Sequence, residues 1–169
     1  MRFIPRSDAL RALITAGLLS ASLHAAAQSP PSPPPYGLSI NIEQAKKAMA
    51  AAEAEAHKNG WQVVISVVDT GGHLVMLERL EAQTASVDIS IGKARTAVAF
   101  RRPSKALEDS MATGGSTLRI LAVRDAMPLQ GGVPIIVDGK IIGGIGCSGV
   151  LASQDELVAK AGAEALMAK

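Results

Sequence analysis

Apolar side chains follow a helical period in the first part of the domain. After residue 40 they recur at intervals of three and four residues, which predicts an amphipathic helix. These positions are Ile42, Ala45, Met49, Ala52 and Ala56. Asn41, with Gln44 three residues later, is typical of a capping box, and Gly60 is placed to end the helix.

Two pairs of short segments have instead the pattern of β-hairpins. The segments "WQVVISVVD" (residues 61–69) and "HLVMLERL" (residues 73–80) are rich in strand-forming residues and flank the turn sequence "TGG". Residues 133–137 and 140–147 flank the pair "DG", which is a strong signal for a two-residue hairpin turn. Strands joined as hairpins predict an antiparallel sheet.

Helical spacing returns between and after the hairpins. Four further helices are predicted, over residues 86–100, 104–112, 117–127 and 154–168. Pro103 and Pro128 end the first and third of these, and Ser153 with Glu156 predicts a capping box for the last. The order helix, hairpin, helices, hairpin, helix predicts an α+β fold with helices packed on an antiparallel sheet.

The first 27 residues have the pattern of a secretory signal peptide. Three arginines precede an apolar run over residues 12–23. The small residues 25–27 that follow suit cleavage by signal peptidase. The apolar run is shorter than the roughly 20 residues that span a bilayer. We therefore expect a periplasmic or secreted protein with no membrane span after cleavage.

A proline-rich stretch separates the signal from the domain. Residues 28–37, "QSPPSPPPYG", predict an extended spacer, and the folded domain is predicted over residues 38–169. Removing three arginines and one aspartate from totals of 17 and 15 leaves 14 basic and 14 acidic side chains. This balance, with 2% aromatic residues, argues against nucleic-acid binding. The single cysteine excludes an internal disulfide.

The last hairpin is rich in glycine. Residues 144–149, "GIGCSG", match the Gly-x-Gly-x-x-Gly pattern, but the following sequence predicts one helix and no second parallel strand, so we assign no dinucleotide site. Gly144 and Gly146 instead predict that another part of the protein or a ligand comes close to the strand. We expect a cleft between this hairpin and the closing helix, whose first amides would favour an anion near Ser148 and Asp155.

Several blocks of sequence together resemble one family. In chain order they are "VVDTGGHLVMLERLEAQTAS", "IGKARTAVAF", "GGVPIIVDGKIIGGIGCSG" and "SQDELVAKAGAEAL". The chain resembles the GlcG/HbpS family, which includes the C-terminal domain of PduO-type proteins, over residues 38–168. The resemblance implies a profilin-like fold with about five strands, a homo-oligomer, and haem binding, in some members with secretion and redox sensing. Where the family pattern has Val the chain has Cys147, as a small apolar substitute, a reactive thiol or a soft iron ligand.

Haem binding would require an axial ligand and cations for the propionates. With His24 removed in the signal, His57 and His73 are the candidate iron ligands. Arg95, Arg101 and Arg102 are candidates for the propionates. The candidate cofactor-binding residues are His73, His57, Arg95, Gly144, Gly146, Ser148 and Asp155. Each histidine and arginine also suits an ordinary surface position.

Two other functions fit the same residues. An isomerase- or lyase-like enzyme for a small organic acid or ketone would use a pocket beside residues 143–149, with His73 or Asp155 moving a proton. Candidates for holding a substrate carboxylate are Arg79, Lys93 and Arg95. The third possibility is a structural module whose glycines serve packing between subunits.

Overall fold

A four-stranded antiparallel sheet with helices on both faces forms the domain, in a computed structural model that describes residues 32–167. The helices are α1 (Ile42–Asn59), α2 (Ser86–Ala99), α3 (Lys105–Ala112) and α4 (Ala152–Glu164), with a 3-10 helix at Gly115–Ala122. The strands are β1 (Val64–Asp69), β2 (Leu74–Arg79), β3 (Gly132–Val137) and β4 (Lys140–Ser148), in the order β2-β1-β4-β3. The predicted α+β fold and both hairpins are confirmed. The predicted signal peptide lies outside the described residues.

The sheet has one strand fewer than the family resemblance led us to expect. Beside β4 the chain forms an isolated parallel bridge from Tyr36 to Ile141. The carbonyl of Pro35 accepts a hydrogen bond from the Ile141 amide at 2.8 Å. Residues 33–35 are all proline and have no amide hydrogen to donate, so this segment does not continue as a fifth strand.

The first helix begins and ends where its sequence predicts. The side chain of Asn41 accepts a hydrogen bond from the Gln44 amide at 2.9 Å, and Gln44 accepts one from the Asn41 amide at 3.1 Å. Gly60 ends the helix in the left-handed conformation, with φ of 67°. Ala45, Met49, Ala52 and Ala56 are buried as predicted. Ile42 was predicted on the same face but is 49% exposed, because Ile40, just before the helix, packs into the main core at this end of α1.

The two faces of the sheet are covered by different helices. Ile65 and Val67 of β1 belong to the main core with α1 and α4. On the other face, Val68 packs against Ala94 and Val98 of α2. Because strand residues alternate between faces, β1 contributes to both cores and is buried along most of its length.

The segment predicted as a helix over residues 117–127 is different in the structure. It forms a 3-10 helix that ends at Ala122, and none of residues 115–122 is buried. Leu118 and Leu121 are 45% and 65% exposed, so the segment lacks the apolar contact that stabilises a longer helix. Asp125 has a φ of 61°, which also breaks the helical path.

The predicted capping box at Ser153 is wrong. Helix α4 is capped two residues earlier, where Gln154 accepts a hydrogen bond from the Leu151 amide at 3.2 Å. Glu156 cannot cap the helix because its carboxylate is bonded to Gln130 and Lys160. Among the described residues, the helices are all too short or too polar to cross a membrane.

Candidate functional site

The turn between β1 and β2 is closed by the carboxylate of Asp69. One oxygen, Oδ1, accepts hydrogen bonds from the amides of Gly71 and His73 at 2.8 and 2.9 Å. The other, Oδ2, lies 3.2 Å from Nδ1 of the His73 imidazole. Burial raises the pKa of Asp69, but hydrogen bonds from His73 and Gly71 outweigh it and hold the pKa below its usual value. The turn therefore presents an imidazole whose side chain is 82% exposed beside a charged carboxylate.

The two glycines of this turn make room for two functional side chains. A Cβ on Gly71 would lie 2.8 Å from Cε1 of the His73 ring, so a side chain here would displace the imidazole. Gly72 has a φ of 80°, and its carbonyl accepts a hydrogen bond from Nε of Arg95 at 2.8 Å. This bond ties Arg95 of α2 to the turn that carries His73.

A cleft of about 440 Å³ opens between this turn and the exposed side of α2. Its volume lies within the ordinary range of ligand pockets. It is lined by Thr70, Gly71, Gly72, His73, Arg95, Thr96, Val98, Ala99, Phe100, Val123, Arg124, Asp125 and Ala126. A neighbouring cavity of about 250 Å³ shares Arg95, Asp125 and Ala126 with it. The cleft thus combines apolar residues with the His73 imidazole and Arg95. Two further lining residues, Arg124 and Asp125, form an ion pair in which Nε lies 3.5 Å from Oδ2.

The far wall of the cleft is fixed to α2 by Thr96. The Thr96 hydroxyl accepts a hydrogen bond from the Met127 amide at 2.7 Å and donates one to the Gly92 carbonyl at 2.8 Å. A Cβ on Gly92 would lie 2.9 Å from Cβ of Met127, so glycine is required for this close approach. Residues 123–126 were not predicted from the sequence as part of a site. Gly92 within a helix is the one signal that something crosses there.

Gly144 and Gly146 are covered by α2, not by the closing helix. A Cβ on Gly144 would lie 2.8 Å from the Ala94 carbonyl oxygen, and one on Gly146 would lie 2.7 Å from the Ala94 nitrogen. The expected close approach to these glycines therefore exists, but it is made by a helix of the same chain. The expected cleft between the last hairpin and the closing helix is not found among residues 32–167, because buried side chains fill that space.

An ion pair between Lys93 and Asp155 occupies the space where that cleft was expected. Nζ of Lys93 lies 2.7 Å from Oδ2 of Asp155 and donates a hydrogen bond to the Cys147 carbonyl at 3.0 Å. The two side chains are 4% and 3% exposed. Burial raises the pKa of Asp155 above its usual value, against the lowering effect of Lys93 and of the Val150 amide. Because both charges are enclosed and bonded to each other, this pair does not face a substrate.

Cys147 and Ser148 are also enclosed. Burial and the nearby Asp155 raise the pKa of the Cys147 thiol well above its usual value, so the thiol is protonated at neutral pH. Its side chain lies in the main core, which fits the small apolar role. The hydroxyl of Ser148 donates to that of Ser86 at 3.2 Å, and both residues are buried.

The remaining candidates lie on separate parts of the surface. His57 is at the end of α1, where Nε2 lies 3.3 Å from the Glu53 carboxylate. The guanidinium of Arg101 lies 5.9 Å from the centre of the Tyr36 ring. Nε of Arg102 donates to the Phe100 carbonyl at 3.1 Å, just beyond the end of α2. None of these charged side chains lines the cleft.

The Arg79 side chain is likewise engaged away from the cleft, where Nε donates to the Ala82 carbonyl at 2.8 Å. Of the predicted cofactor-binding residues, the structure therefore brings together His73 and Arg95. Arg124, whose side chain is 94% exposed, is an addition that sequence analysis did not identify.

Comparisons with known proteins decide the family. A family model described as "Haem degrading protein HbpS-like" matches residues 40–164. The chain belongs to this HbpS-like family. It is 44% identical over 110 residues to the protein GlcG of Escherichia coli K12, a match that covers 64% of the chain and 81% of GlcG.

Two solved structures show the same fold. The crystal structure of HbpS matches with a TM-score of 0.70 and 32% identity, over 77% of this chain and 92% of HbpS. A crystal structure of a PduOC–haem complex matches with a TM-score of 0.69 and 27% identity, over 76% of this chain and 95% of PduOC. The family identified from sequence blocks is therefore confirmed.

Proposed function

We propose that this protein binds haem in the cleft between the β1–β2 turn and residues 123–126, with His73 as an axial ligand of the iron. The observation that carries the proposal is the exposed His73 imidazole, which shares an apolar-walled cleft with Arg95. Its family membership and the haem-containing structure of a relative support haem as the ligand.

The lining residues suit the chemical parts of haem. Bound haem would supply an iron that accepts an axial nitrogen, and histidine is the commonest protein donor for it. Ala99, Phe100 and Val123 offer apolar contact to the porphyrin. The guanidinium of Arg95 suits a propionate, because a guanidinium binds a carboxylate through two parallel hydrogen bonds. Arg124 is a second cation of the cleft, where it is paired with Asp125.

A hydrogen bond within the protein orients the Arg95 side chain for binding a propionate. Nε donates to the Gly72 carbonyl, which holds the side chain across the edge of the cleft. Its two terminal nitrogens are left to meet a carboxylate. The same bond keeps the guanidinium close to the turn that carries His73, so one end of the cleft holds both the iron ligand and a propionate partner.

The setting of this activity is part of the proposal. The signal-like sequence at residues 1–27 supports export to the periplasm or secretion, where the protein would handle haem or sense redox state. Leu118, Leu121 and Val123 are exposed apolar side chains along one short segment, and they support burial of this segment between copies of the chain. Light scattering of the mature protein would test whether it is a homo-oligomer.

The pocket that the enzyme hypothesis requires beside residues 143–149 is filled by buried side chains. Its acid–base candidate Asp155 and its carboxylate-binding candidate Lys93 are bonded to each other inside the protein. We therefore place ligand binding at the first hairpin turn and not beside β4.

Titration of residues 28–169 with hemin tests the proposed function. We expect saturable one-to-one binding with a shifted Soret band, and a loss of at least about tenfold in affinity in His73→Ala, since an axial bond is removed. His57→Ala is the matched control, because His57 is also exposed and also paired with a carboxylate, but lies outside the cleft. Non-saturating binding, or equal affinity in wild type and His73→Ala, would contradict the proposal.

A further inference from the structure

The two oxygens of Asp69 have different partners, and this difference has a consequence for His73. Oδ1 is used by the turn itself, because the Gly71 and His73 amides both donate to it. Oδ2 is free of the backbone and faces Nδ1 of His73 at 3.2 Å. One carboxylate thus holds the backbone of the turn and the ring that the turn carries.

An ionised carboxylate can only accept hydrogen bonds. In this structure Oδ1 accepts two amide hydrogen bonds and Oδ2 faces a ring nitrogen, which suits the ionised form that an aspartate ordinarily has at neutral pH. A neutral imidazole facing Oδ2 must then carry its proton on Nδ1. The lone pair of the ring is left on Nε2, at the opposite side of the imidazole.

We propose that Asp69 is a positioning residue that fixes the Nδ1–H tautomer of His73 and thereby assigns Nε2 as the iron-binding atom. The iron part of this inference rests on the proposed function, whereas the tautomer is a property of the protein without haem. Gly71 takes part, since a Cβ there would lie 2.9 Å from Nδ1 of the ring and would push it away from Asp69.

The pairing would also strengthen the bond from His73 to the iron of a bound haem. A histidine that donates its second N–H to a carboxylate is a more basic ligand, and loss of such a partner typically lowers metal affinity about 10–100-fold. A more basic axial ligand stabilises ferric over ferrous iron. Asp69 should therefore lower the reduction potential of bound haem relative to a variant without the carboxylate.

Asp69→Asn tests this inference with little change in shape. Its side-chain oxygen can still accept the Gly71 and His73 amides, so the turn is kept. Its amide nitrogen then faces Nδ1 and donates to it, which requires the opposite tautomer with the proton on Nε2. We expect haem affinity to fall about 10–100-fold and the reduction potential to rise.

Proton–nitrogen NMR of the histidine rings, at mildly alkaline pH and without haem, gives the direct readout. Wild type should show His73 as the Nδ1–H tautomer, and Asp69→Asn should show it as Nε2–H. Glu53→Gln is the matched control, because Glu53 faces a ring nitrogen of His57 and its loss should leave the His73 signals unchanged.

The outcomes separate this inference from the proposed function. An Nε2–H tautomer in the wild-type protein would overturn the inference without the need for any variant. If His73→Ala weakens haem binding but Asp69→Asn changes neither tautomer, affinity nor potential, the inference is wrong and the proposed function stands. If the tautomer switches in Asp69→Asn while both variants bind haem normally, His73 is not the iron ligand and the assignment of the iron-binding atom is overturned with it.

Discussion

Lys93 and Arg95 stand two residues apart on α2, but they belong to opposite sides of the molecule. Lys93 is 3% exposed and bonded to Asp155 and to the backbone of β4. Arg95 is exposed and bonded to the first hairpin turn. Because helical residues are rotated by about 100° from one to the next, positions two apart point in nearly opposite directions. One helix thus joins a buried structural cluster to an open cleft.

The glycines of the two hairpins also differ in role, one set being structural and the other part of the candidate site. Gly144 and Gly146 remove side chains so that the backbone of α2 can lie against β4. Gly71 removes one so that the His73 ring can fold back over its own turn. The first arrangement stabilises the fold, and the second shapes the site. A glycine cluster in a sequence therefore indicates close approach without indicating what approaches.

Lys93→Met should give the largest change in stability. It leaves the Asp155 carboxylate buried without its cation, and breaking a buried pair in this way costs about 3–5 kcal/mol in free energy of unfolding. Arg95→Met, on the opposite face of the same helix, should change it by less than about 0.5 kcal/mol. Urea denaturation measures both, and equal effects would contradict the contrast between the two side chains.

The loss caused by Lys93→Met should depend on pH. Burial already raises the pKa of Asp155 in the folded protein, and removing the cation raises it further. A raised carboxyl pKa stabilises the folded state at acid pH, and this contribution is lost as the pH rises through the folded pKa. The deficit relative to wild type should therefore be small in acid and grow towards neutral pH. A deficit that shrinks with rising pH would show that the carboxylate is not the cause.

Gly146→Ala should be the next most destabilising change. The added Cβ would lie too close to the backbone of α2 at Ser90 and Ala94, which cannot move as a side chain can. Overpacking of this kind costs about 1–3 kcal/mol, and we expect the upper part of that range. Thermal and urea unfolding would measure it. A loss below about 0.5 kcal/mol would mean that α2 does not lie this close to β4.

Gly71→Ala should destabilise the fold less than Gly146→Ala and have a clear effect on the site. Its backbone has no positive φ, and the two nearest atoms a Cβ would meet belong to an exposed ring that can swing away. We expect a change in free energy of unfolding below about 1 kcal/mol, with haem affinity reduced about tenfold as His73 leaves Asp69. Hemin titration and urea denaturation measure the two effects. Unchanged haem affinity would contradict the prediction that binding depends on the position of the His73 ring.

Local sequence patterns predicted most of the elements. The capping box of α1 and the "DG" turn act over two to four residues, so they are legible without tertiary information. The 3-10 segment was predicted as a longer helix because Leu118 and Leu121 suggest an apolar face. Whether such a face is buried depends on tertiary packing, and here both side chains are exposed. The strand count came from family resemblance and was one too high.

The candidate site was only partly predictable. His73 was a candidate because it is one of the two histidines that remain after the predicted signal is removed. Its nearness to Arg95 depends on a hydrogen bond across 23 positions of the chain. Lys93 and Asp155 are 62 positions apart in the sequence, so no local pattern predicts that they form a pair. Both charges were therefore assigned to an open pocket, although burial and mutual bonding exclude that role.

The most direct measurement is the proton–nitrogen amide spectrum of residues 28–169 during titration with zinc protoporphyrin, a diamagnetic analogue of haem. The porphyrin ring current shifts the amides it lies against, so the spectrum distinguishes the two hairpins. We predict the largest shifts at residues 70–73 and 123–126, with residues 144–148 little changed. Shifts concentrated at residues 144–148 would contradict the account and return the site to the last hairpin.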